Sequence, residues 1–317
     1  MSKILLLGDF CIKDSINLGS KLKKIINDVD ETIINFEGYF EEKKSEKTLG
    51  MNISTFLEIS KELKIKAVSL ANNHVNDGDI NLTIKKLEEN KIQYFGIKEK
   101  KTYIGLDYEI YGAVWKLTGG NQKELNSFFF HLNNIEKTKN KLIFFPHWGV
   151  ELEKFPHPWQ LYEIKKFIKQ NKIDLVCGHH THLTSLSINI EKIPVIFSLG
   201  NFFIPKTRLT NYYPKDSKKG KGIIYDTKSG NISEINFEYI ESKNEIEVYS
   251  EGKIEYFKEN SLKEYKKFFR LKRTKKNLPI FTEKIFFNYI KSLKNLILIF
   301  IFKSEFFRES WKKLKRR

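Results

Sequence analysis

The chain has 317 residues, 40% hydrophobic and 14% aromatic, enough for one large α/β domain with an appendage or two modest domains, and too apolar to read as disordered. Its two cysteines, Cys11 and Cys177, stand far apart, which argues against a disulfide framework and fits a reducing compartment. The net charge of +17 is uneven: residues 262–317 carry 13 Lys and 5 Arg against 4 Glu, a net +14, and the preceding 261 residues only +3.

Apolar segments and polar loops alternate along the body. Lys3 to Gly8 is a short apolar run ending in Gly8-Asp9, the pattern of a buried strand feeding a functional loop. Ile33 to Phe36 ends at Glu37-Gly38, and Ile65 to Leu70 at Ala71-Asn72-Asn73-His74. Leu142 to Phe145 leads into Pro146-His147-Trp148-Gly149, Ile173 to Cys177 into Gly178-His179-His180-Thr181-His182, and Val195 to Phe197 into Ser198-Leu199-Gly200-Asn201. Helical patterns lie between them: Ile53 to Leu63, Asp79 as N-cap of a helix to about Asn90, and Trp159 to Lys169 with Pro158 in its first turn. Such alternation predicts an α/β sheet with ligands outside the strand ends. From Gly222 to Phe257 the pattern changes to alternating polar and apolar residues. It predicts four antiparallel strands, Gly222–Tyr225, Ile232–Ile240, Glu245–Tyr249 and Lys253–Phe257, that extend or cover the sheet.

Residues 261–317 read as a basic helical tail. Its run Leu296 to Phe302 is seven residues long, and a spanning helix needs about 20. It fits an interfacial helix on an anionic membrane surface, or a buried helix packed on the body. The N-terminus lacks the apolar core of a secretory signal. With no spanning segment either, the expectation is a cytoplasmic protein, peripheral to the inner face of the membrane.

Five of the seven histidines (His74, His147, His179, His180 and His182) fall in the strand-end loops. Imidazoles and carboxylates converging on one rim suit Zn, Mn or Fe. Each motif alone has a plain structural reading: Asp9 as a cap or turn residue, Asn73-His74 as a turn, His147 as a half-buried histidine. Three imidazoles within His179–His182 rarely serve packing, and the motifs together predict a metal site.

The order Gly-Asp, Asn-Phe-Glu, Leu-Ala-Asn-Asn-His, His-Trp-Gly-x-Glu, Gly-His-His-x-His and Ser-Leu-Gly-Asn-Phe resembles the CapA family of bacterial capsule synthesis proteins, of the poly-gamma-glutamate capsule type. That family sits among the calcineurin-like metallophosphoesterases. The resemblance spans roughly residues 1–240. It implies a four-layer α/β/β/α sandwich over residues 1–260, with 261–317 as the basic tail, and two divalent metal ions. Carried over motif by motif, Asp9 and His182 would hold the first ion, Glu37 would bridge, and Asn73, His147 and His180 would hold the second. His74 would be the catalytic acid, and Glu151, His179 and Asn201 would support these groups or touch substrate. Cys11 stands where the wider superfamily often has the histidine of Asp-x-His. It is either a thiolate ligand or a small buried hydrophobe.

The function this implies is a metal-dependent hydrolase of capsule, exopolysaccharide or polyglutamate biosynthesis, with metal-bound hydroxide as nucleophile and an anionic small molecule or polymer as substrate. The alternative is a non-catalytic accessory protein, docked through residues 262–317 on an anionic membrane beside a polymer synthase. A nucleic-acid substrate fits less well, because the positive charge lies outside the motif-bearing part and the tail aromatics sit in apolar runs.

Overall fold

A computed structural model of the chain describes residues 2–41, 48–128, 135, 140–170 and 173–257. The chain divides into two units, Met1–Lys258 and Glu259–Arg317, and the described residues all belong to the first. The expected helical tail, with its Leu296–Phe302 run and membrane contact, lies outside the described residues. Among the described residues no helix is long and apolar enough to cross a membrane.

The fold is α/β. The run Lys3–Phe10 forms β1, buried from Ile4 onward. Glu31–Phe36 (β2), Ile65–Ser69 (β3) and Gln93–Phe95 (β4) come next in parallel, each pairing with the one before. Near-continuous apolar runs are what strands buried on both faces need. The second sheet is built from Tyr108–Trp115 (β5), Lys141–His147 (β6), Leu175–Cys177 (β7), Ser187–Ile190 (β8) and Ile193–Ile196 (β9). Strands β5, β6, β7 and β9 are parallel, and β8 pairs antiparallel with β9.

The chain then returns to the first sheet. Asn201–Phe203 (β10) pairs with the end of β1, and Lys219–Asp226 (β11) lies antiparallel along its free edge. Ile232–Ile240 (β12) and Glu245–Lys253 (β13) continue outward as an antiparallel meander. Of the two arrangements open from the sequence, extending or covering the sheet, these segments take the first. One boundary differs: Lys253–Phe257 is not a further strand. The Glu245 strand runs on to Lys253, and Tyr256 makes only an isolated bridge to Ser187.

Side-chain alternation on β1 separates two cores. Ile4 and Leu6 pack with Ile110, Ile143, Phe145, Leu175 and Ile196 of the second sheet. Leu5 and Leu7 face the other way, into a cluster with Leu22 and Ile26 of α1 (Ser20–Asn27), Phe56 and Ile59 of α2 (Ile53–Glu62) and Leu87 of α3 (Ile80–Glu89). On the far side of the second sheet, Phe144 of β6 packs against Phe167 of α4 (Pro158–Gln170), ring centroids 4.9 Å apart. Each such side chain contributes roughly 1.5–3 kcal/mol on burial. A one-residue slip of β1 would exchange its two faces, so the register is held by both cores at once.

The expected cap forms, Asp79 Oδ1 accepting from Asn81 N at 2.8 Å. Asn52, which the sequence reading does not single out, opens α2 by accepting from Thr55 N at 3.0 Å. Helix α1 has no counterpart in the sequence reading. Its single buried stripe of Leu22, Ile25 and Ile26 is interrupted by lysines and no side chain caps its start.

Candidate metal centre

The carboxyl ends of strands from both sheets bring the motif residues to one place. Asp9 sits near the end of β1, at an irregularity in its pairing with β2: Leu7 lies opposite Ile34, but Asp9 lies opposite Asn35. The extra residue, Gly8, re-aims the rest of the strand. Only glycine fits there, since a Cβ would stand 2.0 Å from the Gly200 carbonyl oxygen, and Asp9 N donates to that same oxygen at 3.0 Å. This contact joins the Gly-Asp motif to the Ser-Leu-Gly-Asn motif.

Asn35 and Glu37 are two residues apart on an extended segment and share a side. Asn35 Nδ2 donates to Asp9 Oδ1 at 2.8 Å and to Glu37 Oε2 at 2.6 Å, one amide holding two buried carboxylates. Asn72 instead braces the loop: its Nδ2 donates to the Phe36 carbonyl at 2.6 Å, and its Oδ1 accepts from the N–H groups of His74 and Val75. That turn carries Asn73 and His74.

From the second sheet, His147 Nε2 lies 2.6 Å from Asn73 Oδ1, and His147 Nδ1 lies 2.8 Å from His179 Nδ1. The same Nδ1 is 3.6 Å from Glu37 Oε2 and 3.9 Å from Asp9 Oδ1. His179 Nδ1 is 3.4 Å from Asp9 Oδ1. The Gly178–His182 loop after β7 is tightly folded. A Cβ on Gly178 would stand 2.2 Å from both Trp148 Nε1 and the Phe197 carbonyl oxygen, which themselves hydrogen-bond at 3.0 Å. His180 and His182 have φ of +99° and +57°, left-handed conformations that cost on the order of 1 kcal/mol or more each outside glycine. The result is that His180 N donates to Asp9 Oδ2 at 3.0 Å, the His180 ring stands 4.4 Å from that of His147, and His182 Nδ1 lies 2.8 Å from Asn201 Oδ1 and 3.3 Å from Asp9 Oδ2.

The electrostatics are those of a site short of positive charge. Burial, and then the nearby Asp9 charge, pushes the Glu37 carboxyl well above the usual carboxylate range. Burial acts the same way on Asp9 but is outweighed by its hydrogen bond to His179 and the neighbouring imidazoles, so Asp9 stays below its ordinary value. Burial, then the other imidazoles, holds His147 well below the ordinary histidine value and brings His180 down to about 3. Burial also lowers His179. These rings are neutral near pH 7, the form that ligates metals.

Asn73 Oδ1 can only accept, so the single proton of neutral His147 sits on Nε2. Its Nδ1 lone pair then faces two carboxylates. Glu37 Oε1, His179 Nε2 and His180 Nδ1 are buried with no hydrogen-bond partner among the described residues. Asp9, His147 and His179 each offer a donor atom, all within 4.8 Å of one another. Converging lone pairs, orphaned donors and uncompensated carboxylates are what a bound cation would satisfy, and a nitrogen and oxygen donor set fits Zn, Mn or Fe. The residues present therefore fit a metal.

The structure gathers Asp9, Glu37, Asn73, His147, His180 and His182 in this group. It also brings in His179, expected only to support or touch substrate, with its Nδ1 against both His147 and Asp9. Cys11 is not brought in: it lies in the core between the first sheet and its helices, and its Sγ donates to the Leu49 carbonyl at 3.4 Å. Burial pushes its thiol far up, away from the thiolate. His74 stands at the rim, 22% exposed, with Nδ1 2.6 Å from Asp77 Oδ2 and Nε2 4.0 Å from Glu37 Oε1. Glu151 accepts from Tyr212 Oη at 2.8 Å and from the neighbouring Tyr213, whose ring lies 4.8 Å from that of His182. Asn201 links His182 to the Ser217 carbonyl, to which its Nδ2 donates at 2.9 Å.

The chain matches the bacterial capsule synthesis protein family PGA_cap over residues 12–103 and 118–206. It belongs to that family. No curated protein matches it. The PGA_cap match takes in the loops bearing Glu37, Asn73, His147, His179–His182 and Asn201, and begins three residues beyond Asp9. Asn35, Asp77 and Tyr213 were not singled out by sequence reasoning. Asn35 carried a usable signal, its period-two spacing from Glu37. Asp77 had one in its i+3 spacing from His74. Tyr213 had none, because it reaches His182 across 31 residues of chain.

Proposed function

We propose that this PGA_cap chain is a metal-dependent phosphoesterase-type hydrolase of surface-polymer synthesis, built on the four-layer α/β/β/α sandwich of the metallophosphoesterases. Its substrate is a phosphorylated or acidic component of capsule, exopolysaccharide or polyglutamate. The capsule context comes from the family's description. The chemistry rests on one observation: Asp9 and Glu37, both buried, share the Asn35 amide beneath a ring of imidazoles that burial keeps neutral.

Asp9, Glu37, Asn73, His147, His180 and His182 hold two divalent ions in this reading, with His179 as a further donor beside Asp9. When bound, such ions activate water and offset charge on a phosphoryl group. The His180 N–H orients Asp9, and Asn35 orients Glu37. Asn201 fixes the His182 ring through its Nδ1. Asp77 accepts from His74 Nδ1 and so directs Nε2 toward the centre, where it can give a proton to the departing oxygen. The partly exposed position of His74 suits a group that must regain its proton from solvent.

Metal content of the purified protein, measured with hydrolysis of aryl phosphomonoesters and phosphodiesters before and after chelation, tests this. Near two equivalents of Zn, Mn or Fe with chelator-sensitive turnover is the expected result. No metal and no turnover after reconstitution would overturn it and leave the accessory, membrane-docked protein as the reading to pursue.

A further inference from the structure

Strand β5 carries none of the residues gathered at the metal centre, yet the chain leaving its carboxyl end closes on the turn that bears His74. Val114 of β5 lies opposite His147 of β6, so this chain departs at the level of the centre. After a short turn over Lys116–Thr118 it reaches Gly120, whose φ is +70°. A Cβ on Gly120 would stand 2.1 Å from the Asn73 carbonyl oxygen and 3.1 Å from Asn73 Cβ. The two main chains are therefore in direct contact, with no room for a side chain between them. One residue on, the Asn121 carbonyl accepts from Asn76 Nδ2 at 2.7 Å. His74 thus lies between two residues held by the same segment, Asn73 before it and Asn76 after it.

The segment is braced from within. Gln122 Nε2 donates to the Gly119 carbonyl at 2.8 Å and to the Trp115 carbonyl at 3.2 Å, and Thr118 Oγ1 donates to the Trp115 carbonyl at 2.8 Å. Trp115 and Leu125, at its two ends, are buried. The His74 ring has one hydrogen-bond partner among the described residues, Asp77, which belongs to the same turn. Its Nε2 is 4.0 Å from Glu37 Oε1, too far for a hydrogen bond to hold it. The placement of Nε2 over the centre is therefore set by the main chain of the turn. Asn72 holds that main chain from the first sheet, and Gly120 and Asn121 hold it from the second.

We infer that Gly120 and Asn121 form a positioning element for the proton donor, holding His74 Nε2 at its working distance from the departing oxygen without touching substrate themselves. The inference rests on the acid role of His74 in the hydrolase reading. A methyl group at Gly120 would push the Asn73 carbonyl away by about 1 Å, and a misplacement of that size costs on the order of 10²-fold in rate.

The test compares two esters in the full-length protein with manganese in excess, so that a changed metal affinity is not what is read. Phenyl methyl phosphate releases a phenoxide that needs a proton as the P–O bond breaks, whereas dinitrophenyl methyl phosphate releases an anion that needs none. His74→Ala should lower kcat for the phenyl ester at least about tenfold more than for the dinitrophenyl ester. Gly120→Ala should show the same unequal loss, about tenfold or more, with KM nearly unchanged. Asn76→Ala, which removes one hydrogen bond and fills no space, should show a smaller one of about threefold, and decides alone if Gly120→Ala does not fold. Gly230→Ala is the control for backbone strain. Gly230 has φ of +73° and open space around it, in the hairpin beside the start of β1, and its replacement should lower stability without altering either rate. Equal losses for the two esters in the deciding variant, or none, beside an unequal loss in His74→Ala, would overturn the proposal alone. An equal loss in His74→Ala would sink the acid reading, and the proposal with it.

Discussion

His147 Nε2 lies 2.6 Å from Asn73 Oδ1, a contact that ties the last residue of a strand in the second sheet to a loop leaving the first. Both residues are buried, so the bond is made where water cannot replace it. It is the point at which one sheet's motif completes the other's. It also dictates the tautomer that leaves His147 Nδ1 facing Glu37 and Asp9.

His147→Ala should therefore act on metal and fold together. At least one metal equivalent should be lost on elemental analysis. Chemical denaturation in chelator should show a loss of about 1–3 kcal/mol, the cost of leaving Asn73 Oδ1 buried without a partner. Full metal content in this variant would remove His147 from the ligand set.

Glu37→Gln should have opposite effects with and without metal. A carboxyl raised by burial and by Asp9 contributes stability only while protonated. That contribution is complete below its unfolded value and is lost as pH rises through the folded one. At pH 7 the metal-free protein thus carries a penalty that glutamine removes. The variant should unfold at higher denaturant than wild type in chelator, by on the order of 1 kcal/mol or more. Loaded with metal, the order should reverse.

The histidines set the acid side. His180 has a folded value of about 3 against an ordinary value of 6.5, so between these pH values the unfolded chain binds a proton that the folded one refuses. Stability is complete above about pH 6.5 and falls as pH drops toward 3, by up to about 1.4 kcal/mol per pH unit for one such histidine. His180→Gln should flatten the fall of unfolding free energy between pH 6 and 4 in metal-free protein. An unchanged slope would show that His180 is not held neutral.

His74→Ala should lower turnover of a phosphodiester by roughly 10²–10⁴-fold while leaving metal content intact, since His74 stands at the rim and Asp77, not the buried group, holds it. Asp77→Asn should give a smaller loss in the same direction. Turnover equal to wild type in His74→Ala would remove it from the acid role.

Cys11→Ala should leave metal content unchanged and cost about 1 kcal/mol of stability, because the side chain is buried in the helix-side core. Loss of a metal equivalent in this variant would instead make the thiol a ligand.

The sequence by itself determined the α/β fold, the strand ends that carry the motifs and the Asp79 cap of one helix. Those depend on local rules: apolar period, cap chemistry and glycine at a close approach. Asp9, Glu37, Asn73, His147, His180 and His182 were legible because their motifs occur in order after apolar runs. What each side chain faces was decided only by the tertiary structure. Gly8 re-phases β1, so Asp9 turns to the site, whereas Cys11 lies one residue past the end of the strand, where its alternation no longer applies, and goes into the core. The left-handed backbone at His180 and His182 aims three nearby imidazoles in separate directions and brings His179 against Asp9, which no spacing rule distinguishes. Asn35, Tyr213 and the Gly120 contact with Asn73 depend on segments far apart in the chain. Long-range packing, not local propensity, makes such contacts, so only the folded structure could reveal them.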